Sequence, residues 1–266
     1  MQELEVHLAK AQFARRHLTK VAGIGLAALV AKLAMPKPAK AQAVDNDEHE
    51  PDADDAPCFL KGTRVRTTTG EREVEALAVG DLLPTRFNGT QPIQWIGRYR
   101  HRRSNPSKPW VRYMLPVRIA RSALAPDVPH SDLYVTQPHA IFTDGVLVRV
   151  ESLVNGATFA LQDADDVTEL EYYHIKLHSH DVIYAEGAPC ETLLEVDENS
   201  VNFVEYSRMY GAQREMARPC VPVLNFANTR SKMKSHLRSA LSPFVDRREK
   251  IDVIRDRLEE RALTMV

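Results

Sequence analysis

Between Cys58 and Val196 the apolar positions come in short runs cut by turns, and their period is that of strands. Thr63-Arg64-Val65-Arg66-Thr67 alternates, is rich in β-branched residues, and turns at Thr69-Gly70. Ile93-Gln94-Trp95-Ile96, Val117-Arg118-Ile119, Leu133-Tyr134-Val135 and Val146-Leu147-Val148 have the same texture, as do Glu169 to Leu177 and Val182-Ile183-Tyr184-Ala185. Such spacing predicts an all-β domain and not a parallel α/β sheet. Beyond Glu195 the pattern changes. Residues 196 to 240 are helical or irregular. From Phe244 to Met265 a helical period returns, with Val253, Ile254, Leu258 and Ala262 on one face and Asp252, Arg255, Asp256 and Glu259 on the other. The expected architecture is therefore a β domain over 58–195 and a helical C-terminal tail over 196–266.

The β region also echoes itself. Val74-Glu75-Ala76-Leu77-Ala78-Val79-Gly80 and Val150-Glu151-Ser152-Leu153-Val154-Asn155-Gly156 share the pattern V-E-x-L-x-x-G, and each follows a turn ending in glycine. A strand feeding a short turn, used twice, is the simplest reading.

Composition narrows the classes. The 266 residues carry a formal net charge of −1, so no global field points to nucleic acid or to a membrane surface. The stretch from Arg98 to Arg121 is basic and acid-free, and reads as a solvated loop or as a dock for the acidic segment ahead of Cys58. Three cysteines, Cys58, Cys190 and Cys220, are too few and too odd in number for a disulfide framework. His174, His178 and His180 share a face if the strand runs through them, which with Cys190 gives a weak zinc pattern; no metal and no cofactor is expected.

The N-terminus reads as an address. Arg15-Arg16-His17-Leu18-Thr19-Lys20 resembles a twin-arginine export motif, an apolar stretch from Val21 to Met35 follows, and Ala41-Gln42-Ala43 offers a cleavage site. The expectation is a signal peptide over 1–43, a periplasmic or secreted mature protein, and no stable membrane span. Residues 44–57, VDNDEHEPDADDAP, are acidic with two prolines and cannot build a core. They form a linker that ends at Cys58.

Cys58-Phe59-Leu60-Lys61-Gly62-Thr63 opens the β region with a thiol, and Thr136-Gln137-Pro138-His139 sets a hydroxyl and an imidazole three residues apart behind a strand. With the runs CFLKGTRVRTTTGEREVEALAVGDLL, DLYVTQPHAIF, LVNG and YYHIKLHSHDVIYAEG, the chain resembles the bacterial branch of the Hint (Hedgehog/intein) domains over roughly 58 to 195. The resemblance implies a pseudo-twofold duplicated β fold that attacks its own backbone. Cys58 converts the amide after Pro57 into a thioester by an N–S acyl shift, Thr136 orients that amide, and His139 protonates the departing nitrogen. His180, beside a late family motif, is a candidate for the second step. The substrate is then the chain's own N-terminal flank, with water, a thiol or an amine as acyl acceptor and no nucleic-acid partner.

Departures from the family pattern bear on this. Ala185-Glu186-Gly187-Ala188-Pro189-Cys190-Glu191 contains no His-Asn pair, which argues against full splicing and leaves N-terminal cleavage or acyl transfer. Pro57 stands where family members often have glycine, and its ring crowds the carbonyl. Only Asp127 and Asp132 lie near the position of the aspartate that assists the first cysteine, and Cys190 lies near that of a second cysteine. An exported Hint-fold binding or scaffolding module without catalysis is the alternative reading, and a zinc-held structural domain is a third.

Overall fold

The computed structural model describes residues 56–103, 105, 108–196, 203–210, 218–226 and 229–265. The expected leader and all but the last two residues of the acidic linker lie outside them. Fourteen strands follow one another among the described residues. They are β1 (Phe59–Leu60), β2 (Arg64–Thr67), β3 (Gly70–Glu73), β4 (Leu82–Pro84), β5 (Thr90–Arg102), β6 (Val117–Ile119) and β7 (Leu133–Val135), then β8 (Ala140–Thr143), β9 (Val146–Arg149), β10 (Phe159–Leu161), β11 (Glu169–Leu177), β12 (Val182–Ala185), β13 (Ala188–Glu191) and β14 (Val223–Leu224). Two seven-stranded sheets result, in the orders β10-β6-β7-β1-β11-β5-β4 and β14-β9-β8-β13-β12-β2-β3. The expected all-β architecture is what the chain adopts.

An approximate dyad runs between β1 and β7. These strands pair antiparallel at Phe59 and Val135, and the turns after them match bond for bond. The Thr63 N–H donates to the Leu60 carbonyl at 3.2 Å, and the His139 N–H to that of Thr136 at 3.1 Å. The carbonyls of Thr63 and His139 then accept from Val74 and Val150, the first residues of the repeated V-E-x-L words. Each word forms a single 3-10 turn, Val74–Ala76 and Val150–Ser152, behind the hairpins β2–β3 and β8–β9. Both open on a buried valine, because the hairpin must turn its trailing end back into the core. Carboxylates complete the symmetry: Glu186 accepts from the Arg64 N–H at 2.8 Å and Glu191 from the Ala140 N–H at 2.7 Å. The duplication thus places Cys58 and the Thr136–His139 turn on either side of one strand pair.

The longest ladder is β5 with β11. In β5 the positions Gln91, Ile93, Trp95, Gly97 and Tyr99 face inward and Arg98, Arg100 and Arg102 outward, a clean period of two. The basic run is therefore, in its first part, the outer face of a strand and not a loop. Its partners are the acids of β11, with Arg98 and Arg100 on Glu171 and Arg102 on Glu169 at 2.5 Å. Cross-strand pairing in register, Glu171 opposite Arg100 and Glu169 opposite Arg102, is what the sequence text could not display.

The tail is more varied than a helical extension. It supplies β14, which lies parallel to β9, and the helices α1 (Phe203–Tyr210), α2 (Thr229–Leu241) and α3 (Lys250–Thr264). The described residues group into two compact units, one of 229–252 and one of the remainder. In the smaller unit Asp252 is fully buried and accepts from the Ser235 hydroxyl, the Arg238 guanidinium and the Glu249 N–H. The expected polar face of α3 is corrected here: Asp252 and Arg255 are buried, whereas Val253 is exposed. Burial is possible because Arg255 is neutralised by Asp256 at 2.8 Å and Glu259 at 3.5 Å along the same helix. Among the described residues no helix is long and apolar enough to cross a membrane.

Candidate active site

Cys58 enters β1 from the first described residues and is buried in an apolar cluster with Tyr99, Trp110, Leu170 and Tyr172. Its backbone N–H donates to Thr136 Oγ1 at 2.9 Å, and the same hydroxyl donates to the Ala56 carbonyl at 3.0 Å. The Thr136 N–H returns a bond to the Cys58 carbonyl at 3.0 Å. Three hydrogen bonds from one residue thus pin the chain on both sides of the Pro57–Cys58 peptide.

The carbonyl of that peptide meets a histidine that the sequence motifs did not single out. His174 Nδ1 lies 2.8 Å from the Pro57 oxygen, and the Cys58 sulfur lies 3.3 Å from both ring nitrogens. A carbonyl oxygen only accepts, so Nδ1 carries the proton and Nε2, the ring's basic nitrogen, lies near the thiol. His174 sits opposite Gly97 in the β5–β11 ladder, and a Cβ at Gly97 would come within 3.0 Å of the imidazole and strike the Trp95 ring. Glycine here leaves room first for the Trp95 ring and then for the edge of the imidazole. The ring is fully buried, and burial lowers its pKa to about 4, with the Pro57 bond acting the other way and His139 adding to the lowering.

His139 is fully buried as well, edge-on to Phe59 with ring centroids 4.6 Å apart. Neither of its ring nitrogens has a hydrogen-bond partner among the described residues. Burial lowers its pKa to about 4, opposed by the Glu191 charge and the Cys58 backbone. A buried imidazole without partners costs on the order of 1–3 kcal/mol per unmet group.

The remaining expected residues fall elsewhere. His180 is not in the Cys58 cluster: its Nδ1 accepts from the Cys220 N–H at 3.1 Å, and Nε2 faces Glu191 at 3.6 Å. β11 ends at Leu177, so His174, His178 and His180 do not share a strand face; His178 is exposed and the other two are buried. Among the described residues no group of three or more His, Cys, Asp or Glu side chains is placed to hold a metal ion. Asp132 pairs with Arg118 and Asp127 with Arg121, away from the thiol. Cys190 is fully buried on β13, opposite Ile141, and burial pushes its thiol well above the ordinary range. Burial raises Cys220 to about 11. Burial thus favours the protonated thiol, the weaker nucleophile, at both.

The two neutral imidazoles make the fold acid-sensitive. In the unfolded chain each titrates near ~6.5, while in the fold each binds its proton only near pH 4. The unfolded state therefore takes up more protons as pH falls through this window, and stability falls with it, levelling off below the folded pKa. The expected loss between pH 7 and pH 5 is on the order of 2 kcal/mol per imidazole, read from urea midpoints. His139→Gln should remove about half of that slope; an unchanged slope would assign the effect to other groups.

Comparison with known proteins gives one family. The model described as Hint domain matches residues 57–197. Among solved structures the chain is similar to the gp41-1 intein, at 12% identity and TM-score 0.36, with 50% of this chain and 97% of that one covered. It is similar to a bacterial intein-like domain from Clostridium thermocellum at 13% and 0.37, covering 51% and 98%, and to a DnaB intein from Synechocystis sp. PCC 6803 at 8% and 0.34, covering 51% and 98%. No curated protein matches the chain.

Proposed function

The chain belongs to the Hint domain family, and from that premise we propose that it cleaves its own backbone between Pro57 and Cys58 through a thioester. The observation that carries this reading is the 2.8 Å contact from His174 to the Pro57 oxygen beside the Cys58 sulfur. Attack of Sγ on the Pro57 carbonyl carbon closes a five-membered ring. His174 Nε2 takes the thiol proton, while Nδ1–H stabilises the negative charge growing on the carbonyl oxygen. One neutral ring can do both, and burial keeps Nε2 unprotonated at physiological pH. The amide nitrogen, already held by Thr136, leaves when it is protonated; in this reading His139, neutral at rest, is the donor once it has taken up a proton, so the proton His174 removes from the thiol is balanced by the one delivered to nitrogen. The residual thioester passes its acyl group to an external acceptor, so the outcome is N-terminal cleavage or acyl transfer and not splicing. Cleavage would occur outside the cytoplasm if residues 1–43 direct export, and a reporter fused to those residues tests that part separately.

Residues 44–266 carrying a reporter domain ahead of Val44 provide the test. Intact masses over a day should show a fragment ending at Pro57, released faster when hydroxylamine is present, since a thioester yields to it and an amide does not. A single unchanged mass in every sample would overturn the reading and favour a binding or scaffolding role for the fold.

A further inference from the structure

We propose that helix α2 docks on an anionic lipid surface, lying in its plane. The helix is turned inside out. Ser231, Ser235 and Ser239, spaced by four, form one stripe; Met233, Leu237 and Leu241, each two positions further on, form a stripe on the opposite side. The serine stripe is the one that faces in: Ser235 is fully buried against Asp252, and Ser231 and Ser239 are half-buried. Met233, Leu237 and Leu241 are 68%, 51% and 47% exposed. The turn that follows lengthens the apolar stripe. The Phe244 and Val245 N–H groups both donate to the Leu241 carbonyl at 3.0 Å, which keeps these two exposed residues at its end. Scattered exposed apolar residues are ordinary, but a contiguous patch of them marks a site of contact.

Charge decides what covers it. Between Thr229 and Leu241 stand Arg230, Lys232, Lys234, His236 and Arg238, and no acid. Arg238 is drawn inward to Asp252 and Glu249. Arg230 and Lys234 are exposed, three positions ahead of Met233 and Leu237 and so beside the apolar stripe. A second copy of the chain would bring those cations against themselves. The acidic segment 44–55 has the complementary sign, but Val44 is its one large apolar side chain. A bilayer with acidic headgroups meets both needs at once. The apolar side chains enter the acyl boundary, and the lysine and arginine stems reach back to the phosphates.

The test uses residues 44–266, which keep every described residue and lack the apolar run from Val21 to Met35; the same ranking of variants is expected in the full chain. Phe244→Trp places a fluorophore in the exposed patch. With vesicles of phosphatidylcholine and phosphatidylglycerol its emission should move to the blue and the chain should float with the lipid. Vesicles of phosphatidylcholine alone should do neither, and added salt should release the bound chain. Lys234→Gln should weaken binding about fivefold, the worth of one cation near an anionic surface. Met233→Gln combined with Leu237→Gln should weaken it at least about tenfold. Both side chains are exposed, so the urea midpoint and any release at Pro57 should stay as in the parent chain. Equal binding to the two kinds of vesicle, binding to neither, or binding that survives the double change would overturn the proposal. A dimer in sedimentation velocity that the double change dissociates would give the face to a second copy instead. Blue emission without lipid, lost on deleting residues 44–55, would give it to the acidic segment.

Discussion

Cys58→Ala is expected to release no fragment at Pro57 in any buffer, with or without hydroxylamine. The reason is chemical and not structural. An amide gives way slowly to water, and among the described residues the nucleophile beside the Pro57–Cys58 peptide is the Cys58 sulfur, 3.3 Å from His174. Alanine keeps the Cβ and most of the contact with Tyr99 and Tyr172, so the fold should survive with a loss of about 1 kcal/mol. Far-ultraviolet circular dichroism and a urea midpoint on the same sample separate lost chemistry from lost structure. Cys58→Ser sharpens the result, because a hydroxyl in the same place should give only slow release through an ester. Wild-type cleavage in Cys58→Ala would sink the account outright.

His174→Gln is the second large effect. Glutamine can still offer an N–H to the Pro57 oxygen, but it has no lone pair on nitrogen to accept the thiol proton. Release should fall by at least about a hundredfold, the usual cost of losing a positioned base. His174→Ala should fall further, since removing a donor to the developing oxyanion costs a comparable factor again. Gly97→Ala reaches the same ring from the opposite strand. Its methyl would press on His174 Cδ2 at 3.0 Å and on Trp95, so it should slow release while Cys58, Thr136 and His139 all remain in place. Time courses of intact mass measure all three. Equal rates for His174→Gln and wild type would leave the thiol proton to some other base and refute that role for His174.

Much of this was legible in the text of the chain, and the limit lies at long-range pairing. Cys58, Thr136 and His139 stand in short words that resemble Hint motifs, and it was that resemblance which implied their mutual approach before any coordinates. The repeated V-E-x-L word showed the duplication because each copy closes its own 3-10 turn. His174 was hidden for the opposite reason. Its role depends on facing Gly97 in a ladder whose strands are some seventy residues apart, and in the sequence it stands instead beside His178 and His180 in a misleading alternation. The basic run from Arg98 was misread on the same ground, since Glu169 and Glu171 become its neighbours only once β5 and β11 pair. In the tail, an ion pair within α3 buried Arg255 against the hydrophobic pattern.

The central claim is a thioester on the Cys58 sulfur, and the most direct measurement is the chemical identity of the new end at Pro57. Hydroxylamine should convert that end to a hydroxamate, visible by tandem mass spectrometry as the acid mass increased by one NH group, in wild type and not in Cys58→Ala. A fragment that ends at Pro57 as the plain acid alone, in equal yield from both chains, would contradict the account.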